Sequence, residues 1–250
     1  MKQIKAIGFD LFNTLITMDP QALDEAMGRL LTSLEGSDLS LEHEAFKQAY
    51  WESTLRFLKE ARQNGRETHN RFWISEALET LGYKLPPDDP RITSAVDDYF
   101  SAFLQYCRLI PGTIEMLESI KGRCRLGLLS NFTHAPAAIE IIKEMSLRPF
   151  FDVVLVSGEL GYRKPHPLVF TRLIDQLGVE KNQILFVGDD PEPDITGAQE
   201  AGLHPVWMTY VRDHDISFVP GYFSQYDKEP DSDVLRISTW NDLLALLDQD

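Results

Sequence analysis

Cysteine is scarce in this 250-residue chain, with Cys107 and Cys124 the only two. Far apart in sequence, they build neither a disulfide framework nor a CxxC metal site, and they read as small buried hydrophobes or free thiols. A reducing cytoplasm is the expected compartment. Long hydrophobic runs are also missing. No stretch reaches the roughly 18–20 apolar residues that a membrane span needs. The apolar run in MKQIKAIGFDLFNTL is too short for a signal peptide and is broken by Asp10. Basic residues are outnumbered, 24 against 39 acidic, giving a formal net charge of −15. Such a field repels nucleic acid and anionic lipid, so neither is expected as a partner. An anionic small-molecule substrate must then be held by local positive groups and a metal. Histidine clusters are absent too. His43, His69, His134, His204 and His214 are scattered without ligand spacing such as HExxH, and read as structural or exposed.

Hydrophobic residues, 43% of the chain, suffice for a substantial core. Short apolar runs read as strands at Ile4–Phe12, Leu126–Ser130, Val153–Ser157, Ile184–Val187, Pro205–Tyr210 and, more weakly, Val234–Ile237. Most are continuously apolar rather than alternating, as expected of strands buried on both faces. Helical patterns lie between them, at Ile114, Leu117 and Ile120, and at Phe170, Leu173, Ile174 and Leu177. A last helix is expected to open at Thr239, with Asp242 closing a capping box. Strands alternating with helices predict an α/β fold, a parallel sheet with helices on both faces.

One stretch breaks the alternation. From about Thr17 to Arg108 only helical periodicity is present: Phe46, Ala49, Tyr50, Phe57 and Ala61 on one face, then Ile74, Leu78 and Leu81, then Ile92, Ala95, Val96, Tyr99, Phe100 and Phe103. An insert after the first strand would sit over the carboxyl ends of the strands, where open sheets bind ligands. Residues Arg212–Asp233 form a polar connection, with interspersed aromatics, that has no clear period.

In such a sheet function gathers at the strand exits. The first strand leaves through Asp10-Leu11-Phe12-Asn13-Thr14, the second ends in Ser130-Asn131, the loop after the third carries Arg163-Lys164-Pro165, and the fourth ends in Gly188-Asp189-Asp190 with Asp194 beyond. Singly, a serine there can cap a helix, a lysine can be a solvated charge and an aspartate a turn residue. Together they place a carboxylate, a hydroxyl, an ammonium and an acidic pair at four successive exits. Aspartate can act as a covalent nucleophile. Asp10, Asp189 and Asp194 would repel one another without a cation, and Mg²⁺ suits carboxylate oxygens. Thr14, Ser130, Lys164 and the Asn131 amide are then available for the oxygens of a bound phosphate, with Phe12 and Asn13 lining the same exit.

The four motifs FDLFNTL, LLSN, GYRKPHPLVF and FVGDDPEPD resemble those of the haloacid dehalogenase superfamily, in order and across the whole core. The resemblance implies a Rossmann-like core of residues 1–16 and 108–250 with a helical cap of residues 17–107. It also implies Asp10 as nucleophile, Ser130 and Lys164 as phosphate or carboxylate binders, and Mg²⁺ held by Asp10, Asp189, Asp194 and the Phe12 carbonyl. Substrate choice would lie in the cap, where Tyr50, Trp51, Arg56, Arg62, Arg66 and Trp73 are candidates, each first read as surface charge or bundle core.

Two positions depart from the family pattern. Phosphatases of the family place a second Asp two residues after the nucleophile as general acid and base, whereas this chain has Phe12. The dehalogenase branch has an aromatic residue there, but it uses no Mg²⁺ and lacks the acidic pair that Asp189, Asp190 and Asp194 preserve here. The carboxylates outweigh Phe12, because three of them beside a nucleophile are costly without a cation, while a missing general acid only slows turnover. The expected function is therefore a Mg²⁺-dependent phosphatase of a small phosphorylated metabolite. Metal-independent 2-haloacid dehalogenation and a catalytically weak phospho-ligand binder are the alternatives. His166 replaces the usual Asp between two prolines and is expected to cap a helix or pack near Lys164.

Overall fold

The computed structural model describes residues 4–216, 229–230 and 233–248. Most of the Arg212–Asp233 connection therefore lies outside the described residues. Strands β1 (Ala6–Phe9), β4 (Arg125–Ser130), β5 (Val153–Val156), β6 (Ile184–Gly188), β7 (His204–Met208) and β8 (Leu235–Ile237) form one sheet in the order β5-β4-β1-β6-β7-β8. Every pairing in it is parallel. The apolar runs are strands because each residue meets protein on its own side. In β1, Ile7 and Phe9 enter one core cluster and Ala6 the other, and in β6 Leu185 and Val187 are opposed to Ile184 and Phe186. Both faces being dry explains why these strands show no polar alternation.

Helices cover both faces. On one lie α8 (Pro167–Leu177) and α9 (Gly197–Ala201), with Val169, Phe170, Leu173, Leu177 and Ala198 fully buried. On the other lie α5 (Thr113–Ile120), α6 (Ala135–Glu144) and α11 (Trp240–Leu247), while α7 (Ser157–Leu160) and α10 (Tyr210–Asp213) are single turns. The capping box of α11 forms as expected, with the Asp242 carboxylate accepting from the Thr239 N–H at 2.8 Å. No described helix is long and apolar enough to cross a membrane.

Between β1 and β4 the chain makes a four-helix insert: α1 (Gln21–Glu35), α2 (His43–Asn64), α3 (Arg71–Thr80) and α4 (Pro90–Ser101). Helix α1 packs on α4 and α2 on α3. The buried stripe Ala22, Ala26, Leu30, Leu34 makes α1 part of this bundle, a period that the sequence reading passed over. The aromatic stripe of α4 runs into a 3₁₀ turn, Phe103–Tyr106, rather than one continuous helix. The insert leaves and returns through a two-stranded antiparallel ladder, β2 (Ile16–Met18) with β3 (Cys107–Leu109), which pairs Thr17 with Arg108. Strands this short give no readable period.

A second junction ties the insert to the sheet domain. Helix α2 ends at Gly65, whose left-handed φ of 68° turns the chain sharply. The next residues pair antiparallel with residues 161–163, through Arg163 N–H to Gly65 O and Glu67 N–H to Gly161 O, both 3.0 Å. The Glu67 carboxylate accepts from the Ser157 hydroxyl at 2.6 Å and lies 3.4 Å from Arg163. Arg62 also reaches Glu192 across the same boundary.

Candidate active site

Residue by residue, the strand exits meet at one end of the sheet. Asp10 follows β1 directly, and its N–H donates to Val187 O, so the β1–β6 ladder fixes its backbone. The loop then turns through Asn13, at φ 60°, whose N–H donates to Ile16 O. Asn13 and Thr14 are buried by this turn. Ser130 is the last residue of β4, and Asp189 follows β6. Asp194 reaches back from a π-helical turn, Pro191–Thr196, a wide turn of the kind often found at functional sites. Its approach requires Gly188, because a Cβ there would fall 2.4 Å from the Asp194 Cβ.

Lys164 ties the charges together. Its ammonium is 2.5 Å from Asp10 Oδ1 and 2.6 Å from Asp194 Oδ1, and all three residues are buried. Asp194 Oδ2 accepts the Asp190 N–H at 3.0 Å. The Thr14 hydroxyl is 3.5 Å from Asp189 Oδ1. Asn131 lines the cavity, and its amide also braces the Lys164 backbone: Oδ1 accepts from Lys164 N–H at 2.8 Å and Nδ2 donates to Lys164 O at 3.0 Å. That brace holds the lysine in place. His166 caps α8, accepting the Leu168 N–H, and its ring packs against Tyr162.

Burial raises the Asp10 carboxyl to about 7, Lys164 pulling it down and Asp194 pushing it further up. Burial acts to lower the Lys164 ammonium, but the charges of Asp10 and Asp194 outweigh it and hold it above its ordinary value. Three buried carboxylates, Asp10, Asp189 and Asp194, offer oxygens within 4.8 Å of one another, against a single ammonium. Such a set of hard oxygen donors with excess negative charge fits a hard divalent cation. The two thiols take no part. Burial pushes Cys107 up to about 12 and Cys124 to about 11, values at which neither is a nucleophile.

Over this floor lies a cavity of about 220 Å³, roofed by the insert. Phe12 lines it, stacked on Phe132 with ring centroids 5.2 Å apart, so an aromatic face stands where a proton donor would be useful. Tyr50 and Trp73 line the roof. Trp51 is 46% exposed and Arg56 pairs with Glu60 and Glu76 on the surface, away from it. Thr54, Glu67 and Asn70 also line the cavity and carry no sequence signal, while Arg163, beside Lys164 in the third exit loop, lines it too. Polar residues in helices or in the loops between them look like surface positions when the partner element is unknown.

The family model of haloacid dehalogenase-like hydrolases matches residues 4–202. The chain is 29% identical over 217 residues to the ribulose-1,5-bisphosphate 5-phosphatase of Halopiger xanaduensis, covering 85% of this chain and 87% of that protein. It is also 29% identical over 152 residues to the pyrimidine 5′-nucleotidase YjjG of Escherichia coli K12, covering 58% of this chain but only 63% of that relative's length. Its fold superposes on the crystal structure of a 2-haloacid dehalogenase from Pseudomonas syringae pv. Tomato DC3000 with a TM-score of 0.69 and 25% identity, covering 99% of both chains. With an aspartate at the first strand exit and a lysine and acidic pair facing it, the chain belongs to the haloacid dehalogenase-like hydrolases.

Proposed function

We propose that this hydrolase is a Mg²⁺-dependent phosphatase of a small organic phosphate ester, working through a covalent aspartyl-phosphate on Asp10. The observation that carries the reading is the buried trio of Asp10, Asp189 and Asp194, whose oxygens converge within 4.8 Å. Three carboxylates with one lysine among them are poorly balanced for a metal-free enzyme. The naming of two relatives as a phosphatase and a nucleotidase supports the same class of bond.

In this reading an Asp10 carboxylate oxygen attacks phosphorus, the bond to the ester oxygen breaks, and water later cleaves the acyl phosphate, regenerating Asp10. Lys164 aligns the Asp10 carboxylate by its 2.5 Å hydrogen bond and faces the incoming phosphate with positive charge. The Ser130 hydroxyl, buried and without a partner, is available to donate to a non-bridging oxygen, while the Thr14 hydroxyl faces Asp189. Asp10, Asp189, Asp194 and the Phe12 carbonyl would hold Mg²⁺, which when bound supplies the positive charge that lets an anionic ester approach an anionic nucleophile. Phe12 can give no proton to the departing alkoxide, so the best substrates have leaving groups stable as anions or protonated by solvent. Residues 17–107 act as a cap that excludes bulk water from the floor, and a reducing cytoplasm is the proposed setting.

The test is release of p-nitrophenol from p-nitrophenyl phosphate. Wild-type protein should turn over with Mg²⁺ and lose activity in excess chelator, and Asp10→Asn should be inactive. Equal rates with and without chelator would overturn the metal-dependent reading. The second reading, hydrolysis of a 2-haloacid, is favoured by Phe12 alone, since halide leaves without a proton. Chloride release from 2-chloropropionate in excess chelator would install it in place of the first.

A further inference from the structure

Three buried polar atoms in the insert have no hydrogen-bond partner: Thr54 Oγ1 in α2, Asn70 Oδ1 at the start of α3 and Trp73 Nε1 within α3. All three residues line the cavity above Asp10, and each is at least nine-tenths buried. Buried polar groups in folded proteins are nearly always paired, because an unmade hydrogen bond is destabilising.

Each of these residues forgoes a bond that its type makes elsewhere in the same chain. Thr32, Thr80, Thr93 and Thr171 all turn their hydroxyls back to the carbonyl four residues earlier in their helices, and Thr54 does not. The indole N–H of Trp207 donates to Asp189 O and that of Trp240 to Thr113 Oγ1, each at 2.9 Å, whereas that of Trp73 donates to nothing. Asn70 holds the N-cap position of α3, where an Asn oxygen ordinarily accepts a first-turn N–H, yet its backbone is already helical and its side chain makes no cap bond. One acceptor, one donor and one hydroxyl able to do either are thus left without a partner in residues that line the same cavity.

The rest of the lining narrows what they meet. Phe12, Phe132 and Phe100 form a run of aromatic rings at 5.2 Å spacings, a surface for a planar group. Among the described residues the cations lining the cavity are Lys164 and Arg163. Lys164 is engaged by Asp10 and Asp194, and Arg163 lies against Glu67, so a second phosphate or a carboxylate on the substrate would meet no uncommitted cation among them. We infer that Thr54, Asn70 and Trp73 form a specificity subsite for the leaving group, which carries a planar, uncharged heterocycle with a lactam edge, an N–H beside a C=O. For its reaction this inference rests on the phosphatase reading. The N–H would donate to Asn70 Oδ1 and the C=O accept from Trp73 Nε1.

The experiment compares uridine 5′-monophosphate, its N3-methyl analogue, which lacks the lactam N–H, and benzyl phosphate, a ring without a polar edge. Wild-type kcat/KM should favour uridine 5′-monophosphate over the methylated ester by about tenfold or more, the value of one good hydrogen bond. The ratio of uridine 5′-monophosphate to benzyl phosphate should collapse by a similar factor in Thr54→Val and Asn70→Leu. Unliganded Thr54→Val should unfold at or above the wild-type temperature, because it removes an unpaired group. A clear drop would mean that the hydroxyl is bonded within the fold, overturning its assignment. No discrimination against the methyl group, or a ratio unmoved by both substitutions, would overturn the subsite. Should all three esters and p-nitrophenyl phosphate be inert with Mg²⁺, the phosphatase reading fails; should only the three alkyl esters be inert, it stands. Calorimetric titration with the nucleosides then decides the subsite, tighter binding of uridine than of 3-methyluridine supporting it and equal binding overturning it.

Discussion

The sheet end beneath the cavity and the helices above it treat buried polar atoms in opposite ways. Below, Lys164 bonds two carboxylates, Asp194 takes a backbone N–H, and Asn131 braces the lysine from both ends of its amide. Among the described residues there, the Ser130 hydroxyl is the one without a partner. Above, Thr54, Asn70 and Trp73 each carry an unpaired atom amid aromatic rings. A tightly bonded floor suits chemistry, since groups already oriented need not reorganise during reaction. A roof with open bonds suits choice among ligands, since a site built to hydrogen-bond one edge penalises every ligand lacking it.

The hardest blow to this contrast should be Lys164→Met. It removes the only ammonium from the carboxylate trio, and breaking a buried pair in this way typically costs ~3–5 kcal/mol. Denaturant unfolding should register that loss, along with a fall in kcat of ~10²–10³-fold on p-nitrophenyl phosphate. A variant as stable as wild type would show that the floor is not held by charge. Next in size is Phe12→Asp, which puts a proton donor where the aromatic face now stands. Turnover of alkyl phosphates should rise by up to ~10²-fold, while an activated aryl ester gains less. An unchanged or lower alkyl rate would count against proton transfer being the limitation.

The smallest effect concerns the seam between roof and floor, where His69 and His134 meet edge to face at 5.2 Å. Burial first, then the neighbouring His134 and Arg71, pulls His69 from its ordinary 6.5 down to about 4. Burial likewise lowers His134, against the pull of Asp97. At these two imidazoles the unfolded chain therefore binds more protons than the folded one as pH falls from about 6.5 towards 4. Their contribution to stability is fully present above that window and is lost as pH falls through it, while the raised Asp10 carboxyl works in the opposite sense. Urea midpoints of wild type and His69→Phe, followed from neutral to acid, should differ by that limb. An acid limb unaltered by the substitution would assign the loss to other groups.

The floor was far more legible in the sequence than the roof. Asp10 and Asp189 directly follow apolar runs, Ser130 ends one and Lys164 lies in the loop beyond another, and a buried parallel strand brings its exit to the same end whatever the loops do. The edges of that reading were softer: β1 covers Ala6–Phe9 rather than Ile4–Phe12, since its flanks bend into loops. Asn131 lines the cavity but also braces the Lys164 backbone, a partner 33 positions away that no local pattern encodes. In the roof, Thr54 and Asn70 are polar residues in or beside amphipathic helices, and helical period alone assigns such positions to solvent. Only the crossing of α2 and α3 over the sheet end turns them inward.

The pairing of residues 65–67 with 161–163 ends one residue short of Lys164. The roof therefore cannot lift by that edge without pulling on the main chain that carries the ammonium. In mechanical language, the edge of the roof and the segment that carries the ammonium share one backbone linkage. A substitution at Gly65 acts at the pivot of that linkage, because any Cβ there would come 2.5 Å from the His166 ring.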